Sequence, residues 1–405
     1  MIKKLSIVAL VFIAIYVAYF LLQTADFYKT IYKKGTDTLS AAKKKTEYNI
    51  ALIGYGGIDD SGKAHDGPFL TDSLMIAHID MIKNTISLIS LPRDLWVKLP
   101  TKSKEDFHSK INSLYQISLN PTNYPDVDMK KPGTPELLAV GLKTVTGLTI
   151  DNYLAVDFTG FEKAIDSLGG VDVDVQKTFD DYEYPITGKE QELCGKEAEF
   201  EQVKKFMEKG FNEEEKKKVF AEKPELETFF KNITENPKDA FPCRYEQLHF
   251  DKGVTHMDGV TALKYVRSRH SLQDGSDFGR AARQQQFIKA VKNKLISVGM
   301  VTKVFSLMSE IKKHTETDVS VDEMKKFMGE APDAAKYRFI SIHMSDQDYL
   351  TSSFSDYGGY ILIPRTGEDN WKEVQTMIHN GILETPPTPT PGPTSKATPA
   401  AVQKK

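Results

Sequence analysis

The chain has 405 residues, with 53 Lys and Arg against 56 Asp and Glu, two Cys and 40% hydrophobic residues. A net charge of -3 argues against a protein that coats nucleic acid, and two cysteines are too few for a disulfide scaffold or a Cys-rich zinc site. A mean hydropathy of -0.38 excludes a polytopic membrane protein.

The averages conceal an apolar start. Residues 5–22 read LSIVALVFIAIYVAYFLL, in which Ser6 alone is plainly polar. As a helix this run would span roughly 27 Å, close to the thickness of a hydrocarbon core. The apolar region of a cleaved signal peptide is about 7–15 residues long and ends at a small-x-small site. Gln23-Thr24-Ala25-Asp26 offers no such site, so residues 1–23 are expected to form an uncleaved transmembrane signal anchor, with a juxtamembrane linker over 24–47. Lys3 and Lys4 flank the run on one side and Lys29, Lys33 and Lys34 on the other, so charge does not decide orientation. A short two-Lys N-terminus usually stays inside while long domains translocate, which places the remainder outside the membrane.

Residues 49–54 (NIALIG) read as a short apolar strand ending in glycine, and 74–79 and 85–91 as two more β-rich runs with a turn at Lys83-Asn84. A helix is expected over 135–146, closed by Gly147. A strand follows at 153–158, a helix at 161–168 and a strand at 171–175. Further on, 259–265 and 281–298 read as helices, 338–343 and 360–363 as strands, and a last helix runs through Trp371. Strands interleaved with helices point to one α/β domain, over 48–384.

Residues 188–247 break this rhythm, with 12 Lys/Arg and 15 Asp/Glu in 60 residues. They read as a charged helical insertion with a solvated face. Cys194 and Cys243 bracket it, and outside the cell a bridge between them is feasible; closing a loop of that size would stabilise the fold by about 4 kcal/mol in the chain-entropy model. The other reading is two free, buried thiols. Six of the 19 prolines fall in the Pro/Thr-rich tail 385–405, which cannot bury a core and is expected to be disordered.

Arginine carries the chemistry. Arg267, Arg269, Arg280 and Arg283 crowd into 17 residues. Arg280 and Gln284 share a helix face at i,i+4. Guanidinium forks converging at a helix N-terminus suit a phosphate polyanion, although surface pairing with Asp274 and Asp277 explains the same residues. A second cluster, Leu91-Pro92-Arg93-Asp94, follows a strand, at the sheet edge where ligands bind in α/β folds. Asp72, ahead of the neighbouring strand, is a candidate magnesium ligand, since Mg²⁺ favours one or two carboxylates plus phosphate oxygens.

In order, TDSLM, SLPRD, HSKINSLY, VDFTGFEKAIDSLGGVDVDV, ALKYVRSRH and DFGRAARQQQ resemble the LytR-CpsA-Psr family over roughly residues 48–300, apart from the insertion. The resemblance implies a membrane-anchored, extracytoplasmic α/β domain with a mixed central sheet flanked by helices. It implies a magnesium-assisted enzyme that moves a glycopolymer from a polyprenyl-pyrophosphate carrier onto a wall acceptor such as peptidoglycan. Arg93 then matches the pyrophosphate-binding arginine, with Asp94 beside it; Lys110 matches the lysine of the KIN motif; Arg267, Arg269, Arg280 and Gln284 match further pyrophosphate contacts. Asp72 matches a metal-linked acid, and either Asp72 or Asp94 would take the acceptor proton.

This chain departs from the family pattern twice. Gly54-Tyr55-Gly56 stands where a Gly-x-Asp is usual, and Leu70 where an Arg is usual. Asp66 is a replacement candidate for the missing carboxylate, although a turn Asp before Gly explains it equally. Two alternatives remain: a polyprenyl-pyrophosphate hydrolase, and a non-catalytic wall-polysaccharide-binding anchor. A DNA-binding role fits neither the charge nor the anchor.

Overall fold

The first strands carry near-continuous apolar runs, such as IALI in 50–53 and LMIA in 74–77, and because successive side chains of a strand point to opposite faces both sides of the sheet are apolar and need cover. The computed structural model of the protein describes residues 45–65, 67–208, 211–297, 311–320 and 335–383, with positions 29, 30, 32 and 323. The expected anchor over 1–23, most of the linker, Asp66 and the 385–405 tail lie outside the described residues. Among the described residues no helix is long and apolar enough to cross a membrane.

In chain order the elements are β1 (Glu47–Tyr55), β2 (Thr71–Asp80), β3 (Thr85–Ser90), β4 (Trp96–Leu99), β5 (Phe107–Lys110), α1 (Leu114–Leu119) and α2 (Glu136–Thr146). There follow β6 (Asn152–Asp157), α3 (Phe158–Ser167), β7 (Val171–Val175) and β8 (Phe179–Pro185). The helices α4 (Glu197–Val203), α5 (Glu213–Glu222), α6 (Pro224–Glu235) and α7 (Pro237–Ala240) precede β9 (Tyr245–Phe250) and β10 (Gly253–Met257). The chain continues through α8 (Gly259–Arg267), α9 (Asp277–Ser297), β11 (Thr315–Thr317), β12 (Arg338–Ile342), β13 (Leu350–Phe354), β14 (Tyr360–Pro364) and α10 (Lys372–Leu383).

The central sheet has the order β11-β6-β1-β2-β3-β12. It is mixed: β1 runs antiparallel to β2 and parallel to β6, while β3 runs antiparallel to β2 and parallel to β12. One face presents Ala51, Ile53, Leu74, Ile76, Ile89, Tyr153 and Ala155 to a core shared with α1, α2 and α10. The other face looks toward α3, α8 and α9, which pack with β7 to β10 around Val171, Val173, Phe179, Tyr265 and Phe287. Asp157 caps α3 by accepting from Gly160 N at 2.7 Å, and Asp258 caps α8 by accepting from Thr261 N at 2.8 Å. Gly259 is needed at the α3–α8 crossing, since a Cβ there would sit 2.2 Å from the Glu162 carbonyl oxygen.

Between β8 and β9, helices α4 to α6 enclose a separate small core of Val203, Phe206, Phe220 and Leu226. Cys194 and Cys243 form a disulfide across its base. The strand β9 already begins at Tyr245, inside the segment whose composition reads as helical insertion. Trp371 is buried ahead of α10 rather than within it; the helix starts at Lys372.

Candidate functional site

The site is built where β3 ends and where α8 turns into α9. After Ser90 the chain turns at Arg93-Asp94 before entering β4. Asp94 accepts from Lys110 Nζ at 2.6 Å, so the KIN lysine braces the turn from the end of β5. Arg93 Nη1 lies 3.8 Å from Asp72 Oδ1, and Arg93 Nε lies 3.6 Å from both Asp94 Oδ2 and Asp277 Oδ2. That Nε is buried and makes no hydrogen bond.

Asp277 gathers the arginines. It opens α9, where a carboxylate favours the positive end of the helix dipole. Its Oδ1 lies 2.8 Å from Arg269 Nε and 3.3 Å from Arg280 Nη2, and its Oδ2 faces Arg93. Burial alone would raise the Asp277 pKa; the guanidiniums of Arg280, Arg269 and Arg93 outweigh burial and hold it below the usual carboxylate range. Arg280 is 6% exposed, and burial pushes its pKa down to about 10 against the opposing pull of Asp277.

Arg267 and Gln284 sit one step away. The Arg267 guanidinium lies over the Phe158 ring, 4.0 Å from its centroid, and donates to Tyr184 OH at 3.3 Å. Gln284 donates to Val266 O at 3.1 Å and accepts from Ser73 Oγ at 3.0 Å, tying α9 to the start of β2 and the end of α8.

Asp181, which the sequence does not single out, and Arg283, a member of the arginine-rich stretch, hold this loop. Asp181, fully buried in β8, accepts from Ser268 Oγ at 2.6 Å and from the backbone N–H of Arg269 and His270 at 3.1 Å each. Burial raises its pKa, but those hydrogen bonds outweigh burial and lower it. Arg283, although part of the arginine-rich stretch, turns inward: it pairs with Asp274 at 2.6 Å and donates to Tyr265 O and Ser268 O. No composition or spacing signal marks Asp181, because its role comes from a long-range contact between β8 and the turn after α8.

Asp72 stands where three cavities meet. A polar cavity of about 260 Å³ is lined by Asp72, Tyr184, Arg267, Arg269, Arg280 and Gln284, among others. An apolar cavity of about 230 Å³ lies between the second sheet face and the helices, walled by Leu52, Met75, Leu154, Val156, Phe161 and Phe287. Asp72, Arg267 and Gln284 belong to both walls. A narrower cleft of about 50 Å³ continues past Pro92, Asp277 and Ser345. Arg93, Asp94 and Lys110 border none of the three; Arg93 reaches the site through its contacts with Asp72 and Asp277.

The departures at Gly56 and Leu70 have local explanations. A Cβ on Gly56 would lie 2.8 Å from His65 Cβ, so His65 fills the space a side chain at 56 would need. His65 in turn meets the edge of Phe158, at 5.1 Å between centroids, beneath Arg267. Leu70 packs against Gly67, where an added Cβ would lie 2.7 Å from its Cδ1. Among the described residues no group of three His, Cys, Asp or Glu side chains is arranged to hold a metal. Asp72 would hold a magnesium ion only with phosphate oxygens and water completing the shell.

The LytR_cpsA_psr family model matches residues 15–361. The chain belongs to the LytR-CpsA-Psr family. Similar relatives include the polyisoprenyl-teichoic acid–peptidoglycan teichoic acid transferase TagV of Bacillus subtilis, 25% identical over 284 residues, or 69% of this chain and 52% of TagV. The transferase TagU of Oceanobacillus iheyensis is 23% identical over 287 residues, or 71% of this chain and 63% of TagU. This LytR-CpsA-Psr chain therefore spans between half and two thirds of those relatives. The crystal structure of protein gbs0355 from Streptococcus agalactiae superposes with a TM-score of 0.51 at 15% identity, covering 83% of this chain and 89% of that one, which speaks to the fold.

Proposed function

We propose that this LytR-CpsA-Psr protein is a membrane-anchored, extracytoplasmic phosphotransferase that moves a glycopolymer from a polyprenyl-pyrophosphate carrier to a cell-wall acceptor such as peptidoglycan. The observation that carries the reading is the shared wall of Asp72, Arg267 and Gln284 between an arginine-lined polar cavity and an apolar one. A prenyl pyrophosphate has that same division, an anionic head joined to an apolar chain. The names of TagV and TagU, transferases of polyisoprenyl-linked teichoic acid to peptidoglycan, agree with it. The apolar run at residues 5–22 would hold the domain at the membrane surface where such carriers reside.

In the reaction an acceptor hydroxyl oxygen attacks the phosphorus bonded to the glycopolymer. A new P–O bond forms, the bond from that phosphorus to the bridging oxygen breaks, and polyprenyl phosphate departs. Arg93, Arg269 and Arg280 neutralise the charge that grows on the leaving phosphate, in a partly buried setting where such contacts are strong. Arg267 orients the head group at the mouth of the apolar cavity. Asp72 borders both cavities and takes the acceptor proton, whereas Asp94 is engaged with Lys110 and positions Arg93. A magnesium ion at Asp72 would add Lewis-acid charge stabilisation at the phosphates.

The test is a binding series with the detergent-solubilised full chain: inorganic pyrophosphate, farnesyl pyrophosphate, and longer prenyl pyrophosphates. Affinity should rise with chain length, each well-buried methylene contributing about 0.8 kcal/mol until the cavity is filled. Equal affinity for inorganic and prenyl pyrophosphate would remove the lipid-carrier reading.

A further inference from the structure

The hairpin of β13 and β14 carries three exposed aromatic side chains at its free end: Phe354 is 71% exposed, Tyr357 92% and Tyr360 41%. Its register pairs Phe354 with Tyr360, Ser352 with Leu362 and Leu350 with Pro364, so these residues share one face. At the root that face is core, where Leu350 and Leu362 are buried. Beyond the root the same face continues into water as an edge-to-face ring pair, Phe354 with Tyr360 at 6.5 Å between centroids. Ser352 Oγ and Tyr360 OH lie 3.1 Å apart beside it. Tyr357 occupies the tip, in a turn closed by Ser355 N donating to Gly359 O at 2.9 Å. Exposed aromatic clusters of this kind mark recognition surfaces.

The hairpin is rooted in the proposed reaction site. Leu362 N donates to Asp94 O at 2.9 Å, and Leu362 forms a parallel bridge with Leu95. Just ahead of β13, Met344 and Ser345 line the narrow cleft together with Asp277 and Arg280. From Leu362 to the tip the strand reaches about 13 Å.

The charge of the segment restricts its partner. Residues 344–364 contain no Lys or Arg and three Asp, at 346, 348 and 356; the adjoining Arg365 sits at the root, where its guanidinium donates to Leu350 O and Asp346 O, and not at the free end. Anionic lipid surfaces and phosphate-rich polymers are recognised through cations, which the hairpin lacks. What its free end offers on that face is rigid rings beside the hydroxyls of Ser352 and Tyr360. Such surfaces combine low-entropy aromatic contact with adaptable hydrogen bonding. The negative face of a ring attracts the positively polarised C–H groups of a pyranose, and the hydroxyls meet its O–H groups.

We propose that the free end of the β13–β14 hairpin is the acceptor subsite, holding uncharged pyranose units of a glycan strand so that a neighbouring hydroxyl enters the arginine cleft. The assignment rests on the transferase reading for its purpose, but glycan binding is measurable without turnover. The experiment compares the full chain with its Phe354→Ala/Tyr357→Ala/Tyr360→Ala variant in co-sedimentation with peptidoglycan sacculi stripped of attached polymers, and with phosphatidylglycerol vesicles. Thermal melting checks folding, which these exposed residues should leave unchanged. The triple variant should bind sacculi about ten-fold more weakly, roughly 1.4 kcal/mol, with vesicle binding and prenyl-pyrophosphate binding unaltered. Equal sacculus binding by both proteins overturns the subsite, as does a loss confined to vesicles, which would make the hairpin a membrane contact. Hairpin-dependent sacculus binding in a chain that transfers nothing would leave the subsite standing and defeat the transferase reading instead.

Discussion

Replacing Asp277 with Asn keeps the shape of the side chain and removes the charge that three guanidiniums face. At an effective dielectric of about 20, each contact is worth on the order of 5 kcal/mol of gross attraction. The distances are 2.8 Å to Arg269, 3.3 Å to Arg280 and 3.6 Å to Arg93. Desolvation of the carboxylate and repulsion among the arginines cancel most of that sum. Removing one partner of a buried pair costs about 3–5 kcal/mol, and the partial exposure of Arg93 and Arg269 puts the expectation at about 3 kcal/mol. Thermal melting at pH 7 should show a loss of roughly 6 °C or more for a domain of this size. The sign of the pH dependence follows from the depressed Asp277 pKa. Its contribution is present above the ordinary carboxylate pKa of about 4 and is lost as pH falls through the lower folded-state value. The gap between the wild-type chain and Asp277→Asn should therefore close in acid. Added inorganic pyrophosphate should stabilise the variant more than the wild type, because it supplies the missing negative charge. Equal melting temperatures at pH 7, or a gap that persists unchanged in strong acid, would refute the role of Asp277 as the organiser of the cluster.

Leu154→Trp should fill part of the apolar cavity of about 230 Å³ and weaken long prenyl pyrophosphates while leaving inorganic pyrophosphate binding unchanged, a contrast read by titration calorimetry. Asp181→Ala should cost about 3 kcal/mol in a denaturant midpoint, because it orphans Ser268 Oγ and the N–H groups of Arg269 and His270. It should also lower pyrophosphate affinity by displacing the turn that carries Arg269. Cys194→Ser with Cys243→Ser should destabilise the α4–α7 region by about 4 kcal/mol, given a sequence separation of 49, with hydrogen exchange rising there before it rises in the central sheet.

The sequence is legible where period-two apolar alternation is strong. That holds for β7 (VDVDV), whereas β1, β2, β3 and β6 are legible as short apolar runs around Ile53, Ile76, Ile89 and Ala155, with buried polar residues such as His78, Ser87 and Asp157 among them. It fails for β8 (FDDYEYP) and β9 (YEQLHF), where charge masks the pattern and pairing is with a distant strand. Trp371 reads as part of a helix from its apolar character, yet it is buried as the residue before α10. At the site, motif order locates Arg93, Arg269 and Arg280, and the fold brings those three around Asp277. It does not foretell that Asp94 is taken up by Lys110, that Arg267 stacks on Phe158, or that Asp181 sets the loop. Each depends on a contact between residues far apart in the chain. The absence of a carboxylate at position 56 becomes intelligible only with His65 in place beside it.

The most direct measurement is transfer itself. The full chain, a polyprenyl-pyrophosphate-linked glycopolymer labelled in its sugar and a peptidoglycan acceptor are combined, with label on the acceptor and released polyprenyl phosphate counted separately. The two should appear in equal amounts, and Arg93→Ala should slow both by about 10²–10³-fold. Polyprenyl phosphate released without label joining the acceptor, or an Arg93→Ala variant as fast as the wild type, would contradict the account.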